Sequence, residues 1–201
     1  MQVDFLFDFS SPNAYLAHRL IPGIEARTGV TFTYVPCLLG GIFNATNNKS
    51  PMETNAHVEN KIKYDWLEFE RFLNKHKLTE FSFNPNFPLR TVFLMRAAIV
   101  VSNTGDLRKF VDAGMTLAWE DQINVSDPAI AAAALTEAGF DGAALLEATK
   151  DDAIKAQLFD STNAAVARGA FGMPTFYVED DIYFGKDRLR DVEEDIMSRL
   201  G

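Results

Sequence analysis

The sequence predicts an α/β protein in which one small sheet, begun near the N-terminus and finished near the C-terminus, is interrupted by a large helical block. Three observations predict it. Residues 1–36 read strand, helix, strand; no segment from Met52 to Gly169 carries a convincing strand pattern; and two short apolar runs followed by an amphipathic helix appear after Met173. Two strands cannot make a stable domain by themselves, so the late pair completes the sheet that the early pair begins.

Taken in order, Val3, Phe5 and Phe7 alternate with Asp4, Leu6 and Asp8 in a run apolar enough for a mostly buried strand. Ser10-Ser11-Pro12 then opens a helix: serine accepts a bond from a free first-turn N–H, and proline suits the first helical position. This helix is expected from Pro12 to Thr28, with Tyr15, Leu16, Leu20 and Ile24 inward, a kink at Pro22-Gly23 and a stop at Gly29. Val30 to Val35 reads as a second strand closed by Pro36, so the first 36 residues form a βαβ unit with parallel strands. Leu38 to Pro51, rich in Gly, Asn and Ser, is expected to be a loop.

Within the helical block, Tyr64, Leu67 and Phe72 fit a helical stripe widened by Trp66, Phe69 and Leu73. Asn84-Pro85-Asn86-Phe87-Pro88 is a breaker, and Val92, Met95, Ile99 and Val100 mark the next helix. Asp106, Asp127-Pro128 and Asp141-Gly142 are helix starts, and a further helix runs from about Asp151 to Gly169. Pro174 to Val178 and Ile182 to Phe184 make a hairpin around Glu179-Asp180-Asp181, and Leu189, Val192, Ile196 and Leu200 line a last helix.

Composition narrows the function. A formal charge of −9 argues against a general nucleic-acid surface, while leaving room for an anionic small molecule met by local donors. No apolar run is long enough to span a membrane, and the acidic start is unlike a signal peptide, so a cytoplasmic address is expected. Cys37 is the only cysteine, which excludes an internal disulfide and a Cys-x-x-Cys centre; His18, His57 and His76 show no metal-ligand spacing. The apolar helical surface admits a homodimer.

The order β-α-β, helical block, β-β-α is that of a thioredoxin-like fold with a large all-helical insertion. Residues 1–36 and 170–201 would form a discontinuous thioredoxin-like domain, and 37–169 the connecting loop and insertion. Met173-Pro174 stands at the entrance of the third strand, where this fold places a cis-proline. The segment after strand one, which carries a dithiol in redox members, reads Ser10-Ser11-Pro12-Asn13, so disulfide exchange through that site lacks its thiolate attacker. A serine hydroxyl at a helix N-terminus suits a held anion, and Ser11 can equally be a plain cap.

Five motifs in order, Phe7-Asp8-Phe9-Ser10-Ser11-Pro12-x-x-Tyr15, Leu39-Gly40-Gly41-Ile42-Phe43, Asn84-Pro85-x-Phe87-Pro88, Gly169-x-Phe171-Gly172-x-Pro174-Thr175-Phe176 and Phe184-Gly185-x-Asp187-Arg188-Leu189, resemble the 2-hydroxychromene-2-carboxylate isomerase family. That family belongs with the kappa-class glutathione transferases among DsbA-like proteins. The resemblance implies glutathione as cofactor and a small aromatic carboxylate as substrate. It matches Ser11 to the catalytic serine that holds the glutathione sulfur. It matches Met173, beside Pro174, to the residue whose main chain pairs with the tripeptide, and Phe184, Gly185, Lys186, Asp187 and Arg188 to the segment receiving its γ-glutamyl end.

Two positions depart from the family pattern. Asn44 stands where lysine often follows Gly-Gly-Ile-Phe, and Arg90 where asparagine commonly follows Phe-Pro-x. The substrate carboxylate is then expected to meet Lys49 or Arg90, with Asn55 as an amide contact. The activity implied is glutathione-dependent interconversion of 2-hydroxychromene-2-carboxylate and trans-o-hydroxybenzylidenepyruvate, a step of naphthalene-type aromatic catabolism. The alternatives are a kappa-like transferase or peroxidase that consumes glutathione, and a non-catalytic glutathione-binding module.

Overall fold

The computed structural model describes residues 1–201. Four strands, β1 (Val3–Phe7), β2 (Thr33–Pro36), β3 (Thr175–Val178) and β4 (Asp181–Phe184), form one sheet in the order β2-β1-β3-β4. β1 runs parallel to β2, with Phe5 opposite Tyr34, and antiparallel to β3, with Phe5 opposite Phe176. β3 pairs antiparallel with β4. The late hairpin therefore does complete the sheet that the βαβ unit starts.

Every residue of β1 is buried, because the sheet is covered on both faces. Phe5 and Phe7 face a large core with Phe176 and the inner side of α1 (Pro12–Thr28), Phe5 stacking on Phe176 with ring centroids 5.4 Å apart. Leu6 points the other way, to Cys37, Ile42, Ala165 and Tyr177. The inward acid Asp4 is matched by Arg168, whose guanidinium lies 2.7 Å from its carboxylate and stacks over Tyr177.

α1 has the expected bounds: Ser11 caps its start and Gly29, in the left-handed region at φ 71°, closes it. It continues through Pro22 and Gly23, which are exposed. β2 starts later than its apolar pattern suggests because the Phe32 N–H is taken by Glu25 Oε1 at 2.9 Å and so leaves the ladder.

The expected loop from Leu38 to Pro51 holds two helices instead, α2 (Leu39–Thr46) and α3 (Pro51–Thr54). α2 has no side-chain cap of its own; the Leu39 N–H goes to Asp8 Oδ2 and the Leu38 N–H to Thr162 Oγ1, so its start is fixed from distant segments. Gly41 gives close packing there, since a Cβ would press on Thr162 Cγ2 at 3.0 Å.

The block from 52 to 169 is helical, with α4 (Glu59–His76), α5 (Val92–Thr104), α6 (Leu107–Trp119), α7 (Pro128–Glu137), α8 (Gly142–Ala148) and α9 (Asp152–Ala167). Asp106, Asp127, Asp141 and Asp151 cap α6 to α9, each accepting first-turn N–H bonds. The α4 stripe divides: Phe69, Phe72 and Leu73 pack on the core, whereas Tyr64, Trp66 and Leu67 are exposed. A final helix, α10 (Leu189–Leu200), follows a short 3₁₀ turn and buries Leu189, Val192 and Ile196.

His18 ties α1 to α6 and β2. Its Nε2 lies 2.7 Å from Asp112 Oδ1 and its Nδ1 2.8 Å from the Tyr34 hydroxyl, a set complete for a neutral ring that donates to the carboxylate and accepts from tyrosine. Burial lowers its pKa, outweighing the Asp112 carboxylate. The folded state thus takes up a proton less readily than the unfolded chain. The resulting stability is complete above the unfolded value near 6.5 and is lost as pH falls through the folded value. The urea midpoint is therefore expected to drop between pH 7 and pH 5 in the wild type, and this drop is expected to flatten in His18→Gln. An unchanged slope in the variant would assign the acid lability elsewhere.

Candidate active site

The site is built where β1 ends. Asp8, the first residue beyond the strand, is buried, yet both carboxylate oxygens are occupied. Oδ1 accepts the Ser10 N–H at 2.9 Å and the Thr91 hydroxyl at 2.5 Å, and Oδ2 accepts the Leu39 N–H at 2.8 Å. One side chain thereby joins the serine turn, the start of α2 and the residue preceding α5. Burial pushes the Asp8 carboxyl above the usual range, opposed by the hydrogen bonds from Ser10, Thr91 and Leu39.

This bracing fixes the turn that presents Ser11. The Ser11 hydroxyl accepts the Ala14 N–H at 3.1 Å and donates to the Met173 carbonyl over a long 3.4 Å. The residue is an N-cap and a cross-chain contact at once. The Met173–Pro174 peptide is cis, as expected from its place at the strand entrance. The Met173 N–H meets no acceptor within the protein, while the adjacent Pro174 carbonyl accepts the Gly185 N–H at 2.9 Å. The Ser11 hydroxyl and the weakly held Met173 carbonyl therefore meet at the N-terminus of α1, and the N–H of that same Met173 is left without a partner.

Segment 184–188 lies alongside. Phe184 and Phe171 pack with ring centroids 4.5 Å apart, and Gly172 permits their approach, since a Cβ there would meet the Phe184 ring at 2.8 Å. Gly185 adopts φ 97°, a backbone that favours glycine. Lys186 is buried, its ammonium 2.7 Å from Asp187 Oδ1 and 4.4 Å from the Phe72 ring centroid on α4. Asp187 is exposed and caps no helix; Arg188 is exposed and paired with Asp191 at 3.0 Å.

The four residues matched to the second substrate separate. Asn48 donates from Nδ2 to the Phe171 carbonyl at 2.8 Å and accepts the Lys49 N–H on Oδ1, which sets exposed Lys49 beside the segment leading to Met173. Asn44 is exposed on α2, and Asn55 ends α3; neither side chain bonds to the serine cluster. The Arg90 N–H is held by Ser126 Oγ at 2.9 Å, and Arg90 lines a cleft that includes neither Ser11 nor Met173.

Asp8, Asn48 and Thr91 carry parts of the site that the sequence reading did not single out. An acid directly after a fully buried strand was the available signal for Asp8. Cys37 is not a rival nucleophile: it is buried against Ser161, and burial pushes its thiol up to about 12.

Fold and site together define a thioredoxin-fold protein whose dithiol position has become a serine at a helix N-terminus. Residues 2–197 match the model of the DSBA-like thioredoxin domain. The chain is 30% identical over 187 residues to 2-hydroxychromene-2-carboxylate isomerase of Sphingobium xenophagum, covering 93% of each protein. A solved structure of 2-hydroxychromene-2-carboxylate isomerase superposes with a TM-score of 0.83 at 25% identity, covering 100% of this chain and 96% of that one. Glutathione S-transferase kappa 1 of Caenorhabditis elegans matches over 51 residues at 35% identity, 25% of this chain and 23% of that one. The chain belongs to the 2-hydroxychromene-2-carboxylate isomerase family of DsbA-like thioredoxin-domain proteins, and its enzyme class is isomerase.

Replacing Asp8 tests the bracing. Asp8→Asn leaves a single acceptor oxygen and turns an NH₂ group toward buried donors, so it is expected to destabilise the protein by about 2–4 kcal/mol in urea titration, with Thr91→Val losing only about 1 kcal/mol. Equal, small losses would mean that Asp8 does not brace the turn.

Proposed function

We propose that this enzyme is a glutathione-dependent isomerase that interconverts 2-hydroxychromene-2-carboxylate and trans-o-hydroxybenzylidenepyruvate in aromatic catabolism in the cytoplasm. The observation that carries the proposal is the Ser11 hydroxyl at the N-terminus of α1, its proton on a 3.4 Å bond to Met173 O, beside a Met173 N–H without an acceptor. These donors fit the tripeptide. The free N–H and weakly engaged carbonyl of Met173 suit an added strand, and Gly185 with its neighbours offers backbone to the γ-glutamyl end.

Bound there, glutathione would supply a thiolate nucleophile for reversible conjugate addition to the ring-opened acid, the electron pair residing on the conjugated carbonyl until elimination returns it, so that the former double bond can rotate. Ser11 transfers its hydrogen bond from the Met173 carbonyl to the sulfur, and with the helix dipole it keeps that sulfur deprotonated. No histidine or carboxylate hydrogen-bonds to Ser11 as a triad would require, so it stabilises an anion and does not attack. Asp187 is available to the γ-glutamyl ammonium once it exchanges Lys186 for that partner. Lys49, next to the Asn48 that bonds to Phe171, meets the substrate carboxylate, and Asn44 and Asn55 are further polar contacts in the proposal. The exposed Tyr64, Trp66 and Leu67 of α4 offer an apolar face to a second copy in a homodimer.

The 51-residue match to a kappa glutathione transferase supports a second reading, in which glutathione is consumed. An absorbance assay of 2-hydroxychromene-2-carboxylate with and without glutathione, closed by a chromatographic balance of thiol and products, decides between them. The proposal expects glutathione-dependent conversion with all glutathione recovered. It expects Ser11→Ala to slow turnover by about 10²–10³ while staying folded, and Ser10→Ala to be mild. Net loss of glutathione would favour the transferase, and binding without turnover would leave a non-catalytic module.

A further inference from the structure

The cleft that takes Arg90 away from the serine cluster has its own chemistry. It encloses about 440 Å³ between the start of α5, the start of α7 and the end of α8, with Arg90, Arg96 and Lys150 among Val92, Phe93 and Leu146. Every other arginine of the chain is held by a carboxylate. Arg90 and Arg96 are not, although the chain carries a net charge of −9, and both line this one cleft. The nearby acids are engaged elsewhere. Glu147 lies 2.6 Å from Lys150, and Asp127 accepts the Ala129 and Ile130 N–H groups as the cap of α7.

Two arginines that line one cleft without a paired carboxylate keep their N–H donors free, and a carboxylate is the group that satisfies such donors in pairs. The lining beside them is mixed: Val92, 41% exposed, with Phe93 and Leu146 supplies an apolar side, and Ser126 and Thr149 a polar one. The backbone is set for the task, because the Arg90 N–H is tied to Ser126 and Thr91 is fixed by Asp8. We infer that this cleft binds a small carboxylate with an aryl or compact apolar body. The site is separate from the glutathione cradle and does not rest on the isomerase proposal.

The test uses the full chain, with benzoate as probe and benzamide as its neutral counterpart. Binding is read by calorimetry and by the arginine Nε–Hε resonances in NMR. Saturable benzoate binding is expected, with the Arg90 and Arg96 resonances moving and the other arginines still. Arg90→Gln and Arg96→Gln should each weaken binding at least tenfold, and the double variant should abolish it. Benzamide should bind at least tenfold more weakly than benzoate, and neither Ser11→Ala nor added glutathione should alter the benzoate affinity. If the variants fail to fold, the wild-type resonances alone decide. Benzoate affinity kept in the folded double variant, equal binding of benzamide, movement confined to other arginines, or a requirement for Ser11 would each overturn the assignment. Failure of glutathione-dependent turnover would leave it untouched.

Discussion

The buried carboxylate of Asp8 is the interaction on which the rest of the site depends. It stands where the central strand ends and takes hydrogen bonds from the serine turn, from α2 and from the threonine before α5. A carboxylate is desolvated only at a large cost unless its oxygens are filled, and here three donors fill them. The same bonds satisfy N–H groups that would otherwise be unpaired. Strand end, serine turn and helical block are therefore positioned by one side chain, and the precision of Ser11 is inherited from it.

On the proposed function, Ser11 would be the change that moves the fold from redox to isomerase chemistry. The dithiol position needs a sulfur to exchange electrons; a hydroxyl there can only donate or accept a hydrogen bond. Placed at a helix N-terminus and opposite the main chain of Met173, such a hydroxyl is suited to holding someone else's sulfur as an anion. The single cysteine, buried and shifted toward its thiol form, offers no competing route.

Much of this was legible because it is local. The caps Ser11, Asp106, Asp127, Asp141 and Asp151 announce their helices within four residues, and strand alternation places Phe5 and Leu6 on opposite faces. What escaped reading is long-range. α2 looked like a loop because its start is satisfied by Asp8 and Thr162, far away in sequence. β2 was shortened by Glu25, and the α4 stripe was divided by what happens to lie against it. The same limit governs the site: serine and cis-proline followed from their places in the chain, but only tertiary structure brings Lys49 to the Met173 segment and turns Arg90 into another cleft.

The central claim is that Ser11 acts on a thiolate and is more than a cap. The ultraviolet absorbance of bound glutathione, followed against pH in the wild type and in Ser11→Ala, tests it directly. The account predicts a thiol pKa in the wild-type complex well below that of free glutathione, and a return toward the free value in the variant. Identical titrations, with only the roughly 1 kcal/mol loss of stability that removing a cap entails, would contradict it.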